Sequence, residues 1–150
     1  MADWRKNLVE SEAEVRAILE ETRRVAVLGI KPETHGGKPA HYVARYLQDV
    51  GYEMVPVPVY YPDVTEILGE PVYREVNAVP GEVDMVDVFR RPNDIPPHVD
   101  DLIAKQPKVV WFQLGIRNDE AAERLARAGI RVVQDRCTMA DHRRFGLGRG

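Results

Sequence analysis

Short, almost wholly apolar runs alternate along this chain with segments whose apolar residues recur at helical spacing, and that alternation most constrains its fold. The runs are residues 25–28, 53–57, 83–89, 109–114 and 130–133. Between them, Ser11 and Glu14 have the spacing of a capping box ahead of the stripe Val15, Ile18, Leu19. Pro39 opens a second helix with Val43, Leu47 and Val50 on one face, and Gly51 ends it. Pro96 and Pro97 open a third carrying Val99, Leu102 and Ile103. Asn118 or Asp119 caps a fourth that buries Ala122, Leu125 and Ala126 and stops at Gly129. Residues 59–80, with Leu68, Val72 and Tyr73, are less regular and read as a short helix and an edge strand. Strands that are apolar throughout are covered on both faces, which predicts a parallel sheet between helical layers. The expected fold is a three-layer α/β, doubly wound, Rossmann-like sheet whose order reverses beside the first strand. At 150 residues it forms one domain.

The formal charge of -3 makes nucleic acid an unsuitable partner, because an acidic domain gains little from counterion release. Arg143, Arg144 and Arg149 make the C-terminal tail locally basic, and it reads as a solvated, frayed end. No run approaches the ~18–20 apolar residues of a membrane helix. Asp3, Arg5, Lys6 and Glu10 interrupt any apolar secretory stretch at the N-terminus. With Cys137 as the single cysteine, the expectation is a cytoplasmic protein without disulfides.

In a doubly wound sheet the ligand lies beyond the carboxyl ends of the strands, at the reversal. The first such loop joins Gly29, Ile30 and Lys31 to Gly36, Gly37 and Lys38 at the start of a helix, a setting suited to phosphates. It lacks the P-loop ending and the G-x-G-x-x-G spacing. Nicotinamide enzymes place a carboxylate at the end of the second strand, whereas this chain has Val55-Pro56-Val57-Pro58 there. That argues against NAD and is compatible with a nucleotide whose ribose carries a phosphate. Phe89 and Arg90, at the reversal, can stack on a base and pair with a phosphate. Gln113, Leu114 and Gly115 end the next strand, where the glycine allows close backbone approach, while Trp111 and Phe112 read as core. His35, His41, His98 and His142 have no metal-ligand spacing, and no nucleophile–base pair is visible. Asp84 and Asp87, three apart on a strand, point to opposite faces and form no dyad.

Several blocks spread over nearly the whole chain form one further pattern. They are Val25-Ala26-Val27-Leu28-Gly29, Tyr42-Val43-Ala44-Arg45-Tyr46-Leu47 with Gly51-Tyr52, and Leu68-Gly69-Glu70. Val86-Asp87-Val88-Phe89-Arg90, Val110-Trp111-Phe112-Gln113-Leu114-Gly115 and Asp135-Arg136-Cys137 complete the set. In their order and spacing these blocks together resemble the stand-alone CoA-binding domain proteins, relatives of the N-terminal domain of the succinyl-CoA synthetase α subunit. The resemblance implies a Rossmann-like fold binding coenzyme A or an acyl-CoA along the carboxyl edge. By that analogy Gly29, Ile30, Lys31 and Lys38 lie near phosphates and pantetheine. Val57, Phe89 and Arg90 flank the nucleotide, and Gln113, Leu114 and Gly115 approach the pantetheine arm. The family's Pro-Val-Asn-Pro is replaced here by Pro56-Val57-Pro58-Val59, which removes the polar contact of the Asn. The synthetase's phosphohistidine segment is absent, so ligase activity is not implied. The function expected is a non-catalytic CoA-binding carrier, sensor or partner subunit, with a protein partner or homodimer as further possibilities. Its rivals are a small enzyme, using a nicotinamide cofactor or Cys137, and an interaction subunit with a vestigial nucleotide site.

Overall fold

The computed structural model describes residues 3–149, so Met1 and Ala2 of the N-terminal segment lie outside the described residues. After a 3-10 turn at Trp4–Asn7, helix α1 (Glu12–Glu21) starts where the capping spacing placed it, with Ser11 Oγ accepting from the Glu14 amide at 3.1 Å. Strand β1 (Arg24–Leu28) leads through a long loop into α2 (Pro39–Asp49), with Pro39 at its first turn, and then into β2 (Glu53–Val57). The strands β3 (Glu66–Ile67) and β4 (Glu70–Pro71) form a small antiparallel hairpin. The remainder is β5 (Met85–Val88), α3 (Val99–Lys105), β6 (Val109–Phe112), α4 (Asp119–Arg127), β7 (Arg131–Val133) and α5 (Thr138–Arg144). Asn118 caps α4 by accepting from the Ala121 amide at 3.0 Å.

Five strands form one parallel sheet in the order β2-β1-β5-β6-β7. The chain runs outward from β1 to β2, then crosses back to β5 on the other side of β1, so the reversal lies between β1 and β5. Pleating sends alternate residues to opposite faces. Ala26, Leu28, Val86, Val88, Val110 and Phe112 pack with Leu102 of α3 and Leu125 of α4. Val25, Val27, Met85, Val109 and Trp111 pack with Ile18 of α1 and Leu47 of α2. These two apolar layers make the three-layer doubly wound α/β arrangement. No described helix is long and apolar enough to cross a membrane.

Two expectations need correction. Residues 59–80 hold no α-helix and add no strand to the main sheet; they form the β3–β4 hairpin and a 3-10 turn at Val76–Ala78. The polar, proline-bearing stretch cannot bury two faces, and its link to the sheet edge is the Tyr73 amide donating to the Pro56 carbonyl at 3.0 Å. The basic tail is not frayed up to Arg144. Arg136 pairs with Asp141 at 2.7 Å and with Glu12 of α1 at 2.8 Å, and Arg144 joins both carboxylates. These pairs pin α5 to α1.

Candidate functional site

The carboxyl ends of β1, β5 and β6 open onto a cleft with two adjoining lobes. One, of about 370 Å³, is walled by Gly29, Ile30, Val59, Tyr60 and Tyr61. The other, of about 480 Å³ and mostly apolar, is walled by Lys38, Tyr42, Val43, Pro92, Gln113, Leu114, Gly115, Ile116 and Cys137. Lys31, Phe89, Arg90 and Arg91 border both. A further hollow of about 480 Å³ lies beside Trp4 and Arg117, away from the reversal between β1 and β5. In this fold ligands sit at the reversal, so the two-lobed cleft is the candidate site.

The cleft gathers Gly29, Ile30, Lys31, Lys38, Phe89, Arg90, Gln113, Leu114 and Gly115. Val57 is set apart: it is buried among Leu28, Val55 and Val88 and lines neither lobe. Its carbonyl instead accepts from the Gly29 amide at 2.9 Å. Glycine is required at position 29 for a packing reason. Its φ is +88°, and an added Cβ would run into the Phe89 carbonyl oxygen. Gly29 thus lets the ends of β1 and β5 close on each other, and its N–H is not free for an anion.

Several other loop amides are also engaged, Lys31 with the Ala40 carbonyl, Gly36 with Glu33 and Lys38 with His35. The formal positive charge at the cleft comes from the side chains of Lys31, Lys38, Arg90 and Arg91. The loop itself is clamped from two sides. His41, buried in α2, donates from Nδ1 to the Lys31 carbonyl at 2.8 Å, and Glu33 accepts from the Leu68 amide at the hairpin tip at 2.8 Å. Leu68 and Gly69 both have positive φ, which makes that two-residue turn.

Arg90 is held over the Tyr60 ring at 5.4 Å and donates from Nε to His98 Nε2 at 3.2 Å. Burial, and then the neighbouring guanidinium, push the His98 pKa below its usual value, so its ring is a neutral acceptor. Arg90 also lowers the Tyr60 hydroxyl pKa by hydrogen bonding. At the other lobe, Asp135 fixes the Gly115 amide at 2.6 Å. Leu114 is 69 % exposed, an apolar side chain at the rim.

One polar feature of this end of the sheet was not among the candidates. Asp87, on the β5 face that also carries Met85, is fully buried and accepts hydrogen bonds from Gln113 and Thr138. Burial pushes its pKa up to about 7, against the lowering effect of those two bonds. The available signal was a carboxylate inside an otherwise apolar strand. Asp84 lies at the opposite, amino edge, accepting from the Arg23 and Arg24 amides and pairing with Lys108. No group of three or more metal-ligating side chains gathers among the described residues.

Comparison with known proteins agrees with this architecture. YneT of Bacillus subtilis, an uncharacterized protein, is 33% identical over 132 residues, 88% of this chain and 94% of its own length. The solved structure of a Thermus thermophilus protein, cell-free ID.343, superposes with a TM-score of 0.82 at 39% identity, covering 90% of this chain and 98% of that one. A dinucleotide-forming acetyl-coenzyme A synthetase from Ca. Korarchaeum cryptofilum shares the fold at a TM-score of 0.61 and 23% identity; the match covers 73% of this chain and 25% of the synthetase. Residues 23–143, from β1 to α5, match the model of the CoA binding domain. With the strand-end cleft, the sheet order and that match in agreement, the chain belongs to the CoA binding domain family.

Proposed function

We propose that this protein binds coenzyme A or an acyl-CoA across the two lobes, as a non-catalytic carrier, sensor or partner subunit. The observation that carries this reading is the division of the cleft. A lobe walled by tyrosines and an apolar lobe meet at Lys31, Arg90 and Arg91. Coenzyme A has the same division: a phosphorylated nucleoside, a central diphosphate and a long, neutral arm. In this placement Tyr60 and Tyr61 flank the adenosine, Lys31 and Arg90 neutralise the diphosphate, and the arm runs between Val43, Leu114 and Ile116. The end of β2 bears no carboxylate to repel a ribose phosphate, since Glu53 sits at the strand's start and pairs with Arg24 at 2.8 Å.

A thermal-shift titration with CoA, acetyl-CoA, NAD and NADP tests this. A ligand specific for the native state stabilises it by about 2.7 kcal/mol at a hundredfold excess over Kd. The expected outcome is a rise with the CoA species alone. A rise with NAD overturns the argument from the missing carboxylate, and no response to any ligand favours an interaction subunit. Cys137 lines the apolar lobe, which supports a second reading, acyl or thiol transfer through its sulfur. Unchanged thiol chemistry in Cys137→Ser would exclude it.

A further inference from the structure

Asp87 of β5 forms a closed triad with Gln113, just beyond the end of β6, and Thr138 at the start of α5. Its Oδ1 accepts from Gln113 Nε2 at 2.5 Å and its Oδ2 from the Thr138 hydroxyl at 3.1 Å. The second hydrogen of Gln113 Nε2 goes to Thr138 Oγ1 at 2.8 Å. Once ionised, as at the pH 8.5 of the test below, the carboxylate offers only acceptors, so the nitrogen of the Gln113 amide must then face it. The amide is thereby locked in one sense, with Oε1 turned away from the triad.

Gln113 is 4 % exposed and lines the apolar lobe. Its Oε1 has no hydrogen-bond partner among the described residues, yet none of their fully buried side-chain polar atoms lacks one. Oε1 is therefore open to the lobe, an acceptor on a largely apolar floor. Such a group is costly to enclose under a ligand unless the ligand supplies a donor.

We propose that Gln113 Oε1 receives an N–H of the ligand's neutral arm, and that Asp87 is the positioning residue that fixes the amide in that sense. The inference rests on the reading of the cleft as a coenzyme A site and deepens it. The pantetheine arm carries amide N–H donors along its length, whereas a purely apolar chain offers none. Gln113 therefore selects an arm with amides and sets its depth in the lobe.

The test is calorimetric titration at pH 8.5, under reducing conditions, with CoA and with adenosine 3′,5′-bisphosphate, which lacks the arm. Gln113→Met is expected to weaken CoA binding about tenfold and to leave the bisphosphate unaffected. Asp87→Asn keeps the shape but lets the amide turn, so it should lose CoA affinity severalfold with the same selectivity. It also serves where Gln113→Met does not fold. Equal losses for both ligands would reduce the triad to a structural support and overturn the proposal, as would unchanged CoA affinity in the folded variants. Failure of the parent protein to bind CoA overturns the reading of the cleft, and this inference with it.

Discussion

Arg90 carries much of the cleft's chemistry through a small set of contacts. Its guanidinium is steadied by Tyr60 and by the ring of His98, and it forms no ion pair with a carboxylate among the described residues. In Arg90→Ala, and equally in Lys31→Ala, CoA binding should weaken by about 1–3 kcal/mol, the range for a lost charge-assisted hydrogen bond. Calorimetry checks this, and parental affinity in either variant removes that residue from the site. Both residues were legible because they follow strand ends in a doubly wound pattern. The role of Gly29 was legible only in part. Its identity fits a tight loop, but the need for it comes from Phe89, sixty residues along the chain, whose carbonyl leaves no room for a Cβ.

Among the elements, α5 owes least to its own sequence. It is seven residues long, Cys137 supplies no side-chain cap, and isolated helices of that length do not persist in water. Its support is tertiary. Asp141, nearly buried, accepts from Arg136 and Arg144, and both arginines reach Glu12 of α1. Those cations hold the Glu12 carboxyl below the usual carboxylate range, and Asp141 raises the pKa of Arg136. Asp141→Ala should therefore destabilise the protein by about 1–3 kcal/mol, read by chemical denaturation. A surface pair such as Arg16 with Glu20 should cost well under 1 kcal/mol when broken. Equal effects at the two sites would show that α5 is not held this way. Because Thr138 at the start of α5 also bonds Asp87, loosening α5 should disturb the floor of the cleft.

For the whole molecule, the buried carboxylate of Asp87 makes stability depend on pH. Its pKa is about 7 in the folded protein against 3.8 as the ordinary value, so between those limits the native state binds the extra proton. Stability from this group is full below about pH 4, falls as pH rises through about 7, and is level above. The total span is up to about 4 kcal/mol. His98 and His142 act oppositely, because burial lowers their pKa values and acid must charge them. Comparing the parent with Asp87→Asn isolates the Asp87 contribution. The parent's stability relative to the variant should decline from pH 4 to pH 8, and a flat difference in denaturation free energies would contradict the raised pKa.

The sequence by itself determined the five strands of the main sheet, four of the five helices, the parallel sheet reversing beside its first strand and the edge at which a ligand is expected. Each of these is written in local periodicity, in caps such as Ser11 and Asn118, and in the handedness that restricts crossovers. Only the tertiary structure decided the hairpin that clamps the first loop, the withdrawal of Val57 from the cleft, the anchoring of α5 and the Asp87–Gln113–Thr138 triad. Their energies come from pairs of residues far apart in the chain, such as Asp87 with Thr138, Glu12 with Arg136 and Glu33 with Leu68. Periodicity along the chain cannot encode such pairs, because neither residue's neighbours in sequence reveal which partner the folded sheet will bring to it.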